Sequence, residues 1–289
     1  IAQNIITNAY KMTLGKNNQI PLVSSLGQVP IVSVIYSTER AFAALKTDGS
    51  VVTWGNSQYG GASSDVSNNL TSGVTAIYAS DRNFAALKSD GSVVTWHPTR
   101  GGAGNSSDVS NNLTSGVSVI YGNVEAFAAL KTDGSVVTWG SFQFGGSTSW
   151  SGTFVPTPAT PSPNELTSGV TAIYSTYSGA FAALKDDGSV ITWGYIRDGG
   201  DSSDVSNNLT SGVSMIYSNY WAFAALKPDG QGTGGHSVIT WGSSDNGGDS
   251  SSVSSLLSSG VSSIYSTNSA FAALKTDGSI VTWGDSNYV

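Results

Sequence analysis

The chain has 289 residues, a net charge of −7 and no cysteine. The acidic balance weighs against nucleic acid or an anionic membrane as the main partner, since both are held through clustered Lys and Arg, and the missing cysteines exclude disulfides and thiolate metal sites. Only 11% of residues are charged against 39% apolar, and no apolar run approaches the ~18 residues of a membrane span, so the polar surface falls to Ser, Thr, Asn and Gly, as in many extracellular β-proteins.

In chain order, the first repeat is a worn one. Met12–Val23 aligns without a gap on the segment that dominates the rest of the sequence, Leu14 on Leu, Asn17-Asn18 on Asp-Gly and Val23 on Trp. A degenerate end unit is expected in a repeat array, because its neighbours differ. The first full copy is AFAALKTDGSVVTWG, Ala41 to Gly55. Further copies start at Phe84, Phe127, Phe181, Phe223 and Phe271, at spacings from Phe42 of 42, 43, 54, 42 and 48. A period near 42 with two insertions makes seven units.

Each unit offers three strand candidates. Strand A is V-x-x-I-Y, as in Val74–Tyr78 and Val117–Tyr121; strand B is F-A-A-L-K; strand C is S-V-V-T-W. All are short and rich in β-branched or aromatic residues. B and C are joined by Asp-Gly at 48–49, 90–91, 133–134, 187–188 and 277–278, the strongest short hairpin signal because the turn needs positive φ. Asp229-Gly230 is followed by an inserted QGTGGH, read as a longer loop at the same tip. A weaker strand D is expected after each Gly-Gly pair, around Ser63–Val66, Ser106–Val109 and Ser202–Val205. Within Ser147–Pro163 the prolines indicate an extended surface loop.

Four short strands per unit of this length is the arithmetic of a propeller. The expected fold is all-β: one seven-bladed β-propeller of four-stranded antiparallel blades, with blades near 1–30, 31–70, 73–113, 116–166, 169–209, 212–257 and 260–289. The last unit stops after strand C, so closure is expected to use Ile1–Thr7 or sequence outside this chain.

The pattern G-V-x-x-I…A-L-K-x-D-G-x-V-x-x-W-G resembles the repeat of the regulator of chromosome condensation superfamily and covers essentially the whole chain. Ser72-Gly73-Val74, Ser115-Gly116-Val117 and Ser211-Gly212-Val213, with A-L-K and W-G, are most similar to its secreted branch of propeller-type β-lactamase inhibitory proteins. The resemblance implies a propeller and leaves inhibition of a secreted enzyme as one function. Where the eukaryotic repeat has G-Q-L-G this chain has Gly60-Gly61, Gly101-Gly102, Gly145-Gly146, Gly199-Gly200 and Gly247-Gly248, and no nucleotide-exchange motif is present.

Positions identical in every unit serve folding; positions that differ are free of that duty. Antiparallel pairing puts the A–B and C–D connections at one end of every blade and the Asp-Gly turn with the D–A link at the other. The A–B segments read STER, ASDRN, GNVE, STYSG, SNYW and STNS, and the C–D segments NSQY, HPTR, SFQF, YIRD and SSDN. All four arginines, Arg40, Arg82, Arg100 and Arg197, fall in them, as do Tyr59, Phe142, Phe144, Tyr177, Tyr195, Tyr220 and Trp221. Arg, Tyr and Trp are the types that dominate binding hot spots. This variable end is the candidate recognition face, set against neutral drift of loops that tolerate change.

Lys46, Lys88, Lys131, Lys185, Lys227 and Lys275 recur identically and read as structural, as do the repeated Trp between blades. Two histidines, His97 and His236, in unrelated loops supply no triad or metal site, so no cofactor or metal is expected. Asp65, Asp108 and Asp204 read as turn caps, with calcium the lesser alternative. The expected function is non-catalytic protein recognition by a secreted or surface-exposed chain. The alternatives are an enzyme inhibitor, a structural or adhesive module, and an enzyme drawing on Glu39, Asp81, Glu125, Asp198 or Asp245.

Overall fold

The computed structural model describes residues 30–96, 105–146, 161, 165–232 and 234–288. The worn first repeat, His97, Arg100 and most of the proline insertion lie outside them. The chain divides into two compact units, Ile1–Ile31 and Val32–Val289. In the second, each copy of the repeat folds into three strands: β1–β3 (Val32–Ser37, Ala41–Lys46, Val51–Gly55), β4–β6 (Val74–Ala79, Phe84–Lys88, Val93–Trp96) and β7–β9 (Val117–Gly122, Ala126–Lys131, Val136–Gly140). The next copies give β10–β12 (Val170–Ser175, Ala180–Lys185, Val190–Gly194), β13–β15 (Met215–Ser218, Ala222–Pro228, His236–Gly242) and β16–β18 (Val261–Ser266, Ala270–Lys275, Ile280–Gly284). Each triplet is an antiparallel A–B–C meander, and the single pair His236↔Val261 joins the last two triplets into one six-stranded sheet. The longer hairpin expected after Asp229 is present, with Pro228 opposite His236.

The strand expected after each Gly-Gly pair is not a strand. Ser64–Leu70, Ser107–Leu113 and Ser203–Asn208 are 3-10 helices, so the described blades are three-stranded and not four-stranded. The reason is visible in the side chains. Leu70 is buried and Val66 packs on the same core, while Asn68 between them is exposed; a strand would turn all three to one face. The helical segment is tied to the edge of strand C by hydroxyl pairs, Thr53–Ser63 at 2.9 Å, Thr95–Ser106 at 2.8 Å and Thr192–Ser202 at 2.9 Å.

Successive sheets pack face to face, with the A strands of neighbours side by side, the packing of propeller blades. Strand B is buried on both faces, which is why it reads F-A-A-L without alternation. In the core between the first two described blades, Ala41, Ala43 and Leu45 of β2 meet Ile77, Phe84, Ala86, Val94 and Trp96 of the next. The adjacent alanines point to opposite neighbours, Ala85 forward and Ala86 back. Phe and Trp stand directly opposite on strands B and C and stack, at 5.3 Å in the pair Phe84–Trp96. The Trp96 indole N–H then donates to the Gly60 carbonyl of the preceding blade at 3.0 Å, and Trp193, Trp241 and Trp283 repeat this with Gly145, Gly199 and Gly247. Gly60 has φ +87°, and a Cβ there would meet the Phe84 ring at 2.7 Å, so the Gly-Gly pair is a packing requirement.

The repeated lysines are structural in a specific sense. Lys88, Lys131 and Lys227 donate to the carbonyls of Asn69, Asn112 and Asn208 in the link that leads into their own blade. The first described blade breaks the pattern. Phe42, Val52 and Trp54 are 44%, 45% and 42% exposed, where Phe84, Val94 and Trp96 are at 0%, 8% and 3%. These are the side chains by which every later blade packs on its predecessor, and on the last blade Tyr265 and Ile280 are exposed. No helix among the described residues is long and apolar enough to cross a membrane.

Candidate functional site

The A–B and C–D connections do lie together. Asn56, Ser141, Tyr195 and Ser243, each opening a C–D segment, donate backbone N–H bonds to Arg40, Glu125, Gly179 and Trp221 at the end of the A–B segment of the same blade. The other end is equally regular: Val74 and Val117, which open strand A, donate to Gly49 and Gly91 of the preceding Asp-Gly turn.

The A–B connections are also bonded to one another. Glu39 N–H donates to the Asp81 carbonyl, Asp81 to Val124, Val124 to Tyr177, Ser178 to Tyr220 and Tyr220 to Asn268, at 2.9 to 3.2 Å. Six loops from six blades thus form one unbroken run of backbone bonds along the face. A second set of bonds fixes each loop internally. Thr38, Ser80, Asn123, Thr176, Asn219 and Thr267 each accept from the N–H at the start of strand B. Three of them also reach across, Thr38 to the Tyr59 carbonyl and Asn123 and Asn219 through Nδ2 to those of Phe144 and Asn246, all at 2.8 Å. These latch residues are absent from the sequence-predicted set. Their signal was there: the position holds Ser, Thr or Asn in every copy.

On this frame the predicted side chains form three groups. The Tyr59 ring carries two guanidinium groups, Arg40 at 5.0 Å and Arg82 at 5.5 Å from its centroid. Arg40 also pairs with Glu39 at 3.3 Å. Tyr177 and Tyr220 lie 4.6 Å apart and Tyr220 sits 6.4 Å from Trp221, an aromatic row whose two ends are exposed and whose middle is half-buried. The Tyr177 hydroxyl donates to Asp81 Oδ1 at 2.8 Å, so it connects the aromatic row to the arginine group across 96 positions of sequence. That bond, reinforced by partial burial and the charge of Asp81, pushes the Tyr177 phenol up to about 12. Beneath it is a cavity of about 230 Å³ lined by Thr38, Glu39, Ser80, Asp81, Asn123 and Tyr177, among others.

The third group is Phe144 with Tyr195 at 6.2 Å, the Phe144 ring lying against Gly179. Phe142 is half-buried in the same 3-10 turn. Arg197 is placed apart from the other two described arginines and opens onto a cleft of about 630 Å³ between the fourth and fifth described blades. Asp198 beside it is buried, and burial raises its carboxyl above the ordinary range against the opposing pull of Ser178 and Arg197. Arg100 lies outside the described residues. Among the described residues no group of three His, Cys, Asp or Glu side chains is arranged to hold a metal.

No family model matches this chain, and no curated protein does. Solved structures are similar at low identity. Yeast RCC1 (Prp20), in its complex with Kap60, is 15% identical over 88% of this chain and 70% of its own, with a TM-score of 0.47. The CRINKLY WD40 ectodomain of the Arabidopsis thaliana receptor kinase ACR4 is 16% identical over 88% and 80%, at 0.44. The ectodomain of the Physcomitrella patens receptor kinase CR4 is 14% identical over 78% of this chain, at 0.43, and the chain spans 52% of that structure's length.

Proposed function

We propose that the loop face is a protein-recognition surface and that the chain works by binding, without catalysis. The observation that carries this is the backbone-bonded run of A–B loops. It holds Arg40, Arg82, Tyr177 and Trp221 in place with their side chains exposed, and Tyr220 half-buried between the two aromatics. Preorganised loops lose little freedom on association, so the affinity of a few aromatic and Arg contacts is kept. The mix of Tyr, Trp and Arg over Ser, Asn and Gly is the composition of such contacts.

The same proposal takes the chain as one propeller of seven units, residues 1–30 counting as the first, and as secreted or held at the cell surface. The alignment at Met12–Val23 supports the count. An adhesive module would make its contacts on the Asp-Gly end or the rim instead.

The test is capture of partners from the extracellular fraction of the source by the wild-type chain and by Arg82→Ala, Tyr220→Ala and Trp221→Ala. A protein held by the wild type and lost by the variants, at unchanged melting temperature, is the expected result. Equal capture by all four chains overturns the reading. Assaying the captured protein for an enzyme activity that the chain suppresses separates an inhibitor, the reading favoured by the resemblance of the repeats, from other binders.

A further inference from the structure

We propose that the stack of Arg40 and Arg82 on Tyr59 receives a carboxylate, an Asp or Glu side chain of a protein partner, whose apolar neighbour lies on the Tyr177–Tyr220–Trp221 row. This rests on the recognition-face reading above and gives it a chemistry. Both guanidinium carbons lie within 5.5 Å of one ring centroid, so two like charges are gathered at one place on a chain of net charge −7. The ring face attracts each of them, but the pair still repels, and an anion set between them relieves both. Arg40 is paired with Glu39 at 3.3 Å, its own neighbour in sequence. The nearest acid to Arg82 in sequence, Asp81, has Oδ1 engaged by the Tyr177 hydroxyl. Arg82 is exposed, and its donors form a fork that fits a carboxylate.

The rest of the face says what surrounds that carboxylate. Tyr177 is bonded to the residue next to Arg82, so the aromatic row begins one side chain away from the arginines. An acidic residue followed by an apolar or aromatic one fills both. A polyanion fits less well: its further phosphates would meet the field of an acidic chain, whereas one carboxylate is screened within a Debye length of about 8 Å.

The probe is an acetylated and amidated peptide, Gly-Glu-Gly-Trp-Gly, and its Gln counterpart, titrated against the full chain while the arginine Nε–Hε signals are followed by NMR. The Glu peptide is expected to move the Arg40 and Arg82 signals and to bind about three- to tenfold more tightly than the Gln peptide, as an exposed charge-assisted bond would. Arg82→Gln is expected to erase the difference, with an unchanged melting temperature, and Tyr220→Ala to weaken both peptides alike. Equal binding of the two peptides, or no movement of the arginine signals at millimolar Glu peptide, overturns the proposal. So does a single-stranded oligonucleotide that moves the same signals at lower concentration. If Arg82→Gln still captures a partner that Trp221→Ala loses, the carboxylate assignment falls and the recognition face stands.

Discussion

At Asp48, Asp90, Asp133, Asp187 and Asp277 one side chain does the same work five times. Each carboxylate, first in its turn, accepts from the hydroxyl and then the N–H of the Ser two residues on, and both bonds lower its pKa from the ordinary value. In the turn of the first blade those bonds are 2.7 and 2.9 Å. A carboxyl lowered in the folded state stabilises it above the unfolded value of about 4 and loses that contribution as pH falls through the folded one. Melting temperature is therefore expected to hold from pH 7 to about 5 and to drop below about 4. Replacing Ser50, Ser92, Ser135 and Ser279 together by Ala should make the drop shallower in a thermal scan across that range. Asp198 has the opposite sign. Its burial raises the folded pKa, so the ionised form costs stability at neutral pH and the cost is relieved as pH falls through that value. Asp198→Asn is expected to melt at the same or a higher temperature at pH 7; a fall of several degrees would show that its charge is needed.

At the scale of the element, the Trp and the latch decide how a blade is fastened. Trp96→Phe keeps the stacked ring but removes the bond to the Gly60 carbonyl, a change expected to cost about 1–2 kcal/mol by denaturant unfolding. Asn219→Ala removes acceptance from two N–H groups and donation to the Asn246 carbonyl, and about 2–3 kcal/mol is expected, because buried groups are left without partners. Strands A, B and C and the Asp-Gly turn were legible in the sequence, since β-branched runs and a positive-φ turn are local requirements. The segment after Gly-Gly was not read correctly. Its serines and aspartate suit a strand edge or a turn equally, and the deciding feature is the polar Asn68 between Val66 and Leu70, which a strand would turn to the core with them. The loop face was legible as a set of segments, because antiparallel pairing alone puts them at one end. Which side chains meet there was not, since Tyr177 and Asp81 are joined only through the stacking of three blades.

For the whole molecule the unit of stability is the interface between neighbouring blades, which the chain builds five times among the described residues with nearly the same side chains. Adjacent alanines in strand B let the sheets approach from both sides. A larger residue at Ala85 or Ala128, both fully buried, is expected to cost about 1–3 kcal/mol through overpacking. The first described blade makes its own prediction. Trp54 is 42% exposed against 3% for Trp96, so Trp54→Phe is expected to cost less than Trp96→Phe by denaturant unfolding. An equal cost would show that Trp54 is buried in solution.

The run of bonds between successive A–B loops is made by peptide groups, with the Ser178 hydroxyl adding one side-chain bond to the Tyr220 carbonyl. Glu39, Asp81, Val124, Tyr177 and Tyr220 donate or accept through their main chains, whatever their side chains are. Position and letter are therefore decoupled, like movable type in a locked frame. Substitutions at these sites change what the face says without changing where it is said, and a library varied there alone should keep the fold while sampling many partners.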